Sequence, residues 1–178
     1  PPLYAKDGDP AQPARKPLLA ALSREDGTIT ETLKSAEEAE DAGRMTEARG
    51  LYERVLTYKP DHPRAHHRLA TIADRESRFG DAERHYQSAL KTRPKDADLL
   101  SDLGYSYQLQ GRFAESEQRL SAALRFNPKH RQALFNLVLN AIQAATEGGE
   151  IRIVTSEAPG GEASLEIRDN GPGVAIEH

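Results

Sequence analysis

The sequence predicts a mainly α fold, an α-solenoid of antiparallel helix pairs followed by a small C-terminal α+β segment. Three prolines, Pro60, Pro94 and Pro128, close similar blocks that are spaced by 34 residues. Within each block, two runs with the apolar spacing of a helix flank a short turn, as around Gly111 in residues 97–130. A fixed period of this size is typical of stacked helix-turn-helix units.

The composition excludes several classes of protein. The chain has 178 residues, of which 29% are charged and 37% hydrophobic, with a net charge of -4 and no cysteine. Disulfides, thiol chemistry and cysteine-bound zinc are therefore excluded. No basic cluster suits nucleic acid, so no nucleic-acid partner is expected. No apolar run is long enough to span a membrane. The location stays open, with the cytoplasm favoured.

The distribution of prolines and repeats predicts the order of the domains. Five prolines fall within the first 17 residues, with charges between them, which favours a flexible arm. The repeated blocks follow, and the pattern changes after Pro128. The predicted order is an arm at 1–28, repeats at 29–62, 63–96 and 97–130, and a segment of different character at 131–178.

Small residues recur where the two helices of each block would cross. They are Ala36, Ala70 and Gly104 in the first helices, with Ala48 and Ala82 in the second helices. This block resembles the tetratricopeptide repeat, in which small side chains let two helix backbones approach closely. The further matching positions are Tyr52, Tyr86 and Leu120, then Val55, Ala89 and Ala123, while Ser35 and Ser116 depart from the family's pattern.

The resemblance implies that the first helices of the repeats line a concave groove that binds a peptide or another protein segment. Some family members hold a C-terminal carboxylate there with a clamp of Lys, Asn and Arg. This chain has Leu33 and Glu37 where the first repeat would need Lys and Asn, so a ligand of that kind is disfavoured. By periodicity, the groove-facing residues are expected to be Leu33, Glu37, Arg64, His67, Thr71, Arg75, Ser101, Tyr105, Gln108 and Leu109.

Histidines in the first two repeats raise the question of a metal site. His62 and His66 are four residues apart, a spacing at which two helical histidines can share an ion. His62, however, precedes Pro63 and is expected outside the helix, and no neighbouring carboxylate completes the set. The histidines are therefore expected to be solvated surface residues.

The segment 131–178 begins with a helix over 131–146 that is apolar nearly all round. Residues 150–155 and 164–168 alternate apolar and polar positions, which is the period of a strand. They flank a loop with two glycines, so a β-hairpin with a Gly-rich end is predicted. The hairpin is expected to pack on the helix and cover Phe135, Leu139 and Ile142.

Two boxes in this segment resemble those of the ATPase domain shared by sensor histidine kinases, gyrase and heat-shock chaperones. Asn136 and Asn140 stand in a run similar to the N-box, and residues 169–173 are similar to the D-x-G-x-G box. The resemblance implies that both asparagines bind nucleotide, with Asn140 holding Mg²⁺. It also implies that Asp169 accepts a hydrogen bond from adenine, and that Gly171 and Gly173 let the backbone approach. Alone, D-x-G-x-G is a common turn.

Two functions stay open at this point. The later Gly-rich box, the ATP lid and a phosphoacceptor box have no counterpart, so we expect part of an ATPase domain joined to a repeat array. The favoured function is a non-enzymatic interaction scaffold with a protein or peptide ligand and no required cofactor. The alternative is an ATP-binding sensor histidine kinase whose repeats dock or sense a partner. ATP and Mg²⁺ are implied by the resemblance alone.

Overall fold

The computed structural model describes the backbone of residues 12–144, 151–158 and 162–169, and the side chains of residues 26–143. The described residues form seven helices and two strands, which confirms the mainly helical prediction. None of these helices has the length and apolar character that a membrane crossing needs. The elements are α1 Gln12–Asp41, α2 Met45–Tyr58, α3 Pro63–Arg75, α4 Phe79–Thr92, α5 Ala97–Leu109, α6 Phe113–Phe126, α7 Arg131–Ala144, β1 Ile151–Ala158 and β2 Glu162–Asp169.

The chain divides into two compact units, and the first is Pro1–Ala65. In this unit α2 packs on α1 through small residues, since Ala36 and Ala48 are both fully buried. Tyr52, also fully buried, donates its phenolic hydrogen to Glu40 at 3.0 Å, which links the two helices. The predicted crossing residues of the first repeat are therefore in the core.

Helix α1 is longer than the sequence predicted. The expected flexible arm at 1–28 is wrong from Gln12 onward, because the helix already begins there. Pro13 is tolerated, since amide groups in the first turn have no partner within the helix. Pro17 removes one further amide, and the residues that follow it are mostly Leu and Ala, which favour a helix. Residues 1–11 lie outside the described part of the chain.

The second unit, His66–His178, has a core built across α3, α4 and α5. Its buried members are Ala70, Ala73, Ala82, Tyr86, Ala89, Leu99, Leu103 and Tyr107. A second cluster joins α5, α6 and α7, and it contains Leu100, Leu120, Ala123 and Ala133. Each large side chain buried in this way contributes roughly 1.5–3 kcal/mol before the entropy of ordering is subtracted. The helices of this unit therefore pack as successive pairs with α7 as an added member.

The turns that join the paired helices repeat the same backbone conformation. Gly43, Ser77 and Gly111 have φ values of 75°, 57° and 72°, and each is 34 residues from the next. A positive φ is easy for glycine, whereas the β-carbon of another residue is crowded there. The turn after α3 is thus the one in which a serine holds a conformation that glycine favours.

The two strands form an antiparallel hairpin in the second unit. Ile151 lies opposite Asp169, and Ala158 lies opposite Glu162. Strand β2 runs beside α7. Phe135 and Ile142 nevertheless keep 62% and 54% of their surface exposed. The expectation that the hairpin covers these two side chains is therefore wrong.

Candidate functional site

The second unit contains an open cavity between α3 and α5. Its volume is about 310 Å³. Three lining residues come from each of these helices at spacings of three and four residues, which place them on one helix face. Helix α4 contributes a tyrosine behind them. The lining residues are Thr71, Asp74, Arg75, Tyr86, Asp102, Tyr105 and Leu109.

Asp74 is held in the cavity by two neutral donors. The hydroxyl of Ser106 donates to one carboxylate oxygen at 2.7 Å, and the phenol of Tyr86 donates to the other at 3.0 Å. Burial raises the pKa of Asp74 above its ordinary value, these two hydrogen bonds oppose the rise, and the nearby Asp102 adds to it. Burial and the adjacent Asp74 raise the pKa of Tyr86, so that it stays a donor. The site therefore holds an ionisable carboxylate away from bulk water.

Asp102 supplies a second carboxylate from the facing helix. Its Oδ2 lies 2.6 Å from Nε2 of His67, and its side chain is 36% exposed. Asp102 is close enough to Asp74 for its charge to affect the titration of that group. Two acids, one on α3 and one on α5, therefore face the same space.

Exposed apolar side chains complete one side of the cavity. Tyr105 and Leu109 lie one helical turn apart on α5 and are 42% and 46% exposed. Arg75, which is also exposed, stands near the end of α3. The cavity thus combines two carboxylates, one guanidinium group and two apolar surfaces, a set of groups suited to recognising the side chains of a ligand.

The structure brings together some of the residues that the sequence assigned to a groove. Thr71, Arg75, Tyr105 and Leu109 line the cavity, and His67 adjoins it through Asp102. Ser101 and Gln108 do not belong to its lining.

Ser101 and Gln108 are buried in the packing instead. Ser101 is fully buried, and Gln108 is 6% exposed and donates to Gln143 of α7 at 2.8 Å. Their expected exposure to the groove is wrong, because successive helical residues are rotated by about 100° and Asp102 takes the open position beside Ser101.

The remaining predicted groove residues belong to the first unit. Oε1 of Glu37 lies 2.7 Å from Nη2 of Arg64, so these two residues form an ion pair. Leu33 is half-buried on the same helix as Glu37. All three lie outside the lining of the cavity in the second unit.

The sequence interpretation missed Asp74, Tyr86 and Asp102. A signal for Asp74 was present, since it lies three residues after Thr71 and the same helical period selects both. Tyr86 is one of the positions that match the repeat, and it is 1% exposed, so only its hydroxyl group matters to the site. Its place beside the cavity follows from tertiary packing, which no helical period indicates.

Two of the residues that resemble a nucleotide site, Asn136 and Asn140, have described side chains, and both are engaged in the helical packing. Asn136 is 1% exposed and accepts a hydrogen bond from Gln132 at 2.9 Å. Asn140 is 4% exposed and donates to the backbone carbonyl of Phe113 at 3.0 Å. Asp169 ends β2, while Gly171 and Gly173 lie outside the described residues.

Mg²⁺ does not fit the observed surroundings of Asn140. The ion needs oxygen ligands and usually keeps several of its waters. The carbonyl oxygen of Asn140 is enclosed and has no hydrogen-bond partner among the described residues. With the side chain turned into the packing between α6 and α7, a hydrated ion and its phosphates have no approach to that oxygen.

The expectation of solvated histidines is wrong for His66. This residue is 9% exposed, and its Nδ1 lies 2.9 Å from Nδ1 of His85. Burial lowers the pKa of His85, and the nearby His66 lowers it further. His62 has a structural role as well, because its Nδ1 accepts a hydrogen bond from the amide of Ala65 at 3.3 Å. No group of three or more potential ligands in the described part of the chain is placed to hold a metal ion.

Comparison with protein families gives two kinds of match. Tetratricopeptide repeat models match residues 33–97 and 73–140. A model described as histidine kinase-, DNA gyrase B- and HSP90-like ATPase matches residues 127–178. The two kinds of match overlap on α7, where Asn136 and Asn140 lie.

Solved structures share the fold at low sequence identity. An O-GlcNAc transferase mutant from Thermobaculum terrenum is 24% identical with a TM-score of 0.63, and the match covers 68% of this chain and 26% of that one. Pseudomonas aeruginosa pilF is also 24% identical, with a TM-score of 0.61 and coverage of 67% and 55%. The first TPR of Spaghetti (RPAP3) bound to the HSP90 peptide SRMEEVD is 16% identical, with a TM-score of 0.62 and coverage of 65% and 92%. The chain thus spans less than two thirds of the first two proteins.

Proposed function

We propose that the helical part of this chain, which is an array of tetratricopeptide repeats, is a protein-interaction module that binds a segment of another protein. The observation that carries this proposal is the cavity between α3 and α5. There, exposed Tyr105 and Leu109 stand beside the charged groups Asp74, Arg75 and Asp102. Apolar anchors next to orienting charges are the usual components of a peptide site.

Similar structures support a peptide as the class of ligand. The first TPR of Spaghetti (RPAP3) holds the HSP90 peptide SRMEEVD, and the second TPR domain of human RPAP3 holds the HSP70 peptide SGPTIEEVD. Those proteins show that a fold of this kind can present a surface for a short segment. The residues of this chain's own cavity decide which segment it accepts.

The proposal is tested with peptides selected from a phage-displayed library of random heptapeptides. The intact 19.6 kDa chain, labelled with ¹⁵N, is titrated with each selected peptide while its amide resonances are followed. We expect the largest shifts in α3 and α5. Tyr105→Ala should weaken binding by about tenfold, since truncation of an aromatic anchor commonly has an effect of that size.

A matched variant shows whether the effect is local. Tyr58 of α2 is 44% exposed, close to the 42% of Tyr105, and it lies in the first unit. Tyr58→Ala should leave the affinity unchanged. The proposal fails if no heptapeptide is enriched, or if the two alanine variants weaken binding equally.

Nucleotide binding by the C-terminal segment is the second candidate function. The ATPase model that matches residues 127–178 favours it. We rank it second because the buried side chains of Asn136 and Asn140 are engaged within the helical packing. Binding of ATP by Asn136 and Asn140 would therefore need α7 to leave its packing on the other helices.

Titration of the intact chain with ATP, with and without Mg²⁺, tests the second candidate. If the segment binds ATP as the resemblance implies, binding should be saturable and Asp169→Asn should weaken it. Glu117→Gln, which makes the same carboxylate-to-amide change at an exposed position of α6, serves as the control. Equal binding by the two variants would count against a nucleotide site at the D-x-G-x-G box.

A further inference from the structure

The cavity between α3 and α5 has a charge pattern that selects one kind of side chain. We infer that the bound segment presents a lysine or arginine, with its cationic head at Asp74 and Asp102 and its stem against Tyr105 and Leu109. The inference rests on the proposed function and adds the chemistry of the ligand to it.

Asp74 provides the first reason, because its negative charge is met by neutral donors. Both of its hydrogen bonds come from hydroxyl groups, those of Ser106 and Tyr86. A carboxylate has room for further donors beyond these two, since its two oxygens carry about four acceptor positions. A cationic donor entering the cavity would complete this set and favour the charged form of Asp74.

Asp102 provides the second reason, because it places another acid on the facing helix. Its Oδ2 contacts Nε2 of His67, and 36% of the Asp102 side chain stays exposed. Like charges that share a cavity repel each other, and a cation placed with them relieves that repulsion. The two acids are therefore complementary to one cationic group.

The apolar side of the cavity suits the rest of a basic side chain. Lysine and arginine carry several methylene groups that pack on apolar surface while the charged head reaches polar groups. Tyr105 and Leu109 offer such a surface one turn apart on α5. The ring of Tyr105 can also attract a cation through its negative face. A purely apolar ligand would use this surface and bring no positive charge to the two acids.

Acidic segments fit this cavity less well. A carboxylate would be attracted by Arg75 and repelled by both Asp74 and Asp102, which line the same space. Peptides such as SRMEEVD, held by the similar repeat of Spaghetti, have two glutamates and an aspartate near their end. The cavity of this chain therefore favours the opposite charge.

The test uses the heptapeptides enriched by the intact chain from the random phage library. The strongest binder is synthesised together with a variant in which norleucine replaces lysine, or citrulline replaces arginine. Both replacements keep the stem and remove the charge. We expect the neutral peptide to bind the intact chain about tenfold more weakly.

A double-mutant cycle then locates the charge that the peptide meets. Asp102→Asn should weaken the charged peptide by about tenfold and leave the neutral peptide almost unchanged. Asp74→Asn is the second variant; its one oxygen accepts from one of the two hydroxyl groups, and the other hydroxyl can rotate to accept from the new amide. Glu117→Gln removes an exposed carboxylate of α6, outside the cavity, and should change neither affinity.

The outcomes separate this inference from the proposed function. Enriched peptides that carry a basic residue coupled to Asp102 or Asp74 support both. The inference is overturned if the enriched peptides bind through Tyr105 but have no basic residue. It is also overturned if their basic residue is not coupled to Asp74 or Asp102. In both cases the proposed function stands. If no peptide binds, or if Tyr105→Ala leaves the affinity unchanged, the proposed function is overturned and the inference with it.

Discussion

A β-carbon placed on Gly104 would lie 2.8 Å from Cγ and 2.9 Å from Cδ2 of Leu120, so α5 and α6 meet there without room for a methyl group. The same β-carbon would also lie 3.3 Å from the carbonyl oxygen of Ser116. Leu120 is fully buried, and a shift of its side chain would disturb the surrounding core. Glycine is therefore required at this crossing by the closeness of the two helices.

Substitution of Gly104 should destabilise the second unit. Gly104→Leu should lower the free energy of unfolding by roughly 1–3 kcal/mol, because overpacking forces side chains and backbone to move. Gly80 of α4 is the matched control, since nothing lies within 4 Å of a β-carbon added there. Gly80→Leu makes the same change at an exposed position in the first turn of α4 and should not destabilise the chain, because the added side chain meets no close neighbour. Urea denaturation followed by circular dichroism measures both, and an unchanged Gly104→Leu variant would refute the tight crossing.

Replacing Ser77 by glycine should stabilise the turn after α3. Ser77 has φ 57°, a conformation that costs a residue with a β-carbon about 1–2 kcal/mol, whereas glycine adopts it freely. Glycine loses more entropy on folding, so the expected net gain is about 0.5–1 kcal/mol. Gly111→Ser makes the reverse change at the equivalent turn and should destabilise. A lower melting temperature for Ser77→Gly would contradict the expectation.

The helical part could be predicted from the sequence because two local signals agree. Proline ends a helix wherever it occurs at the end of an apolar run, and small residues mark where two helices cross. Pro60, Pro94 and Pro128 therefore marked the limits of the helix pairs, and Ala36 and Gly104 marked the contacts within them. Both signals, the proline at the end of a helix and the small residue at a crossing, depend on positions where few other residues would serve.

Other features depend on tertiary contacts and could not be predicted in the same way. A run with Pro13 and Pro17 is compatible with an arm or with the start of a helix, and the structure has the helix. Periodicity placed Ser101 in the groove, although the neighbouring Asp102 is the more exposed residue. Adjacent residues of a helix point about 100° apart, so an error of one position moves a side chain to another face. Models of both families cover the stretch that contains Asn140, and only the packing shows that its side chain bonds to Phe113.

The histidine pair should make the second unit less stable in mild acid. Burial lowers the pKa of His85, and His66, Arg84 and Arg78 lower it further, while Asp81 opposes them. A histidine with a lowered pKa binds its proton less well in the folded state than in the unfolded state. Stability should therefore fall as the pH drops below the ordinary value of 6.5.

His85→Gln tests whether this pair carries the effect. Urea denaturation at pH 7 and at pH 5, followed by circular dichroism, gives the loss of stability for each protein. We expect a smaller loss for the variant, because it no longer has a buried base that must accept a proton. If the wild-type chain and His85→Gln lose the same amount, carboxylates or other histidines account for the acid sensitivity.

Asn140 should contribute to the attachment of α7. Its amide donates to the carbonyl of Phe113 at 3.0 Å and is nearly fully buried, so Asn140→Ala removes a bond that water cannot replace. We expect a loss of about 1–3 kcal/mol in the free energy of unfolding and faster hydrogen exchange in α7. Arg131→Ala, at an exposed position of the same helix, should have a smaller effect. Unchanged stability together with loss of ATP binding in Asn140→Ala would mean that this residue serves the nucleotide and that α7 is held by its apolar contacts alone.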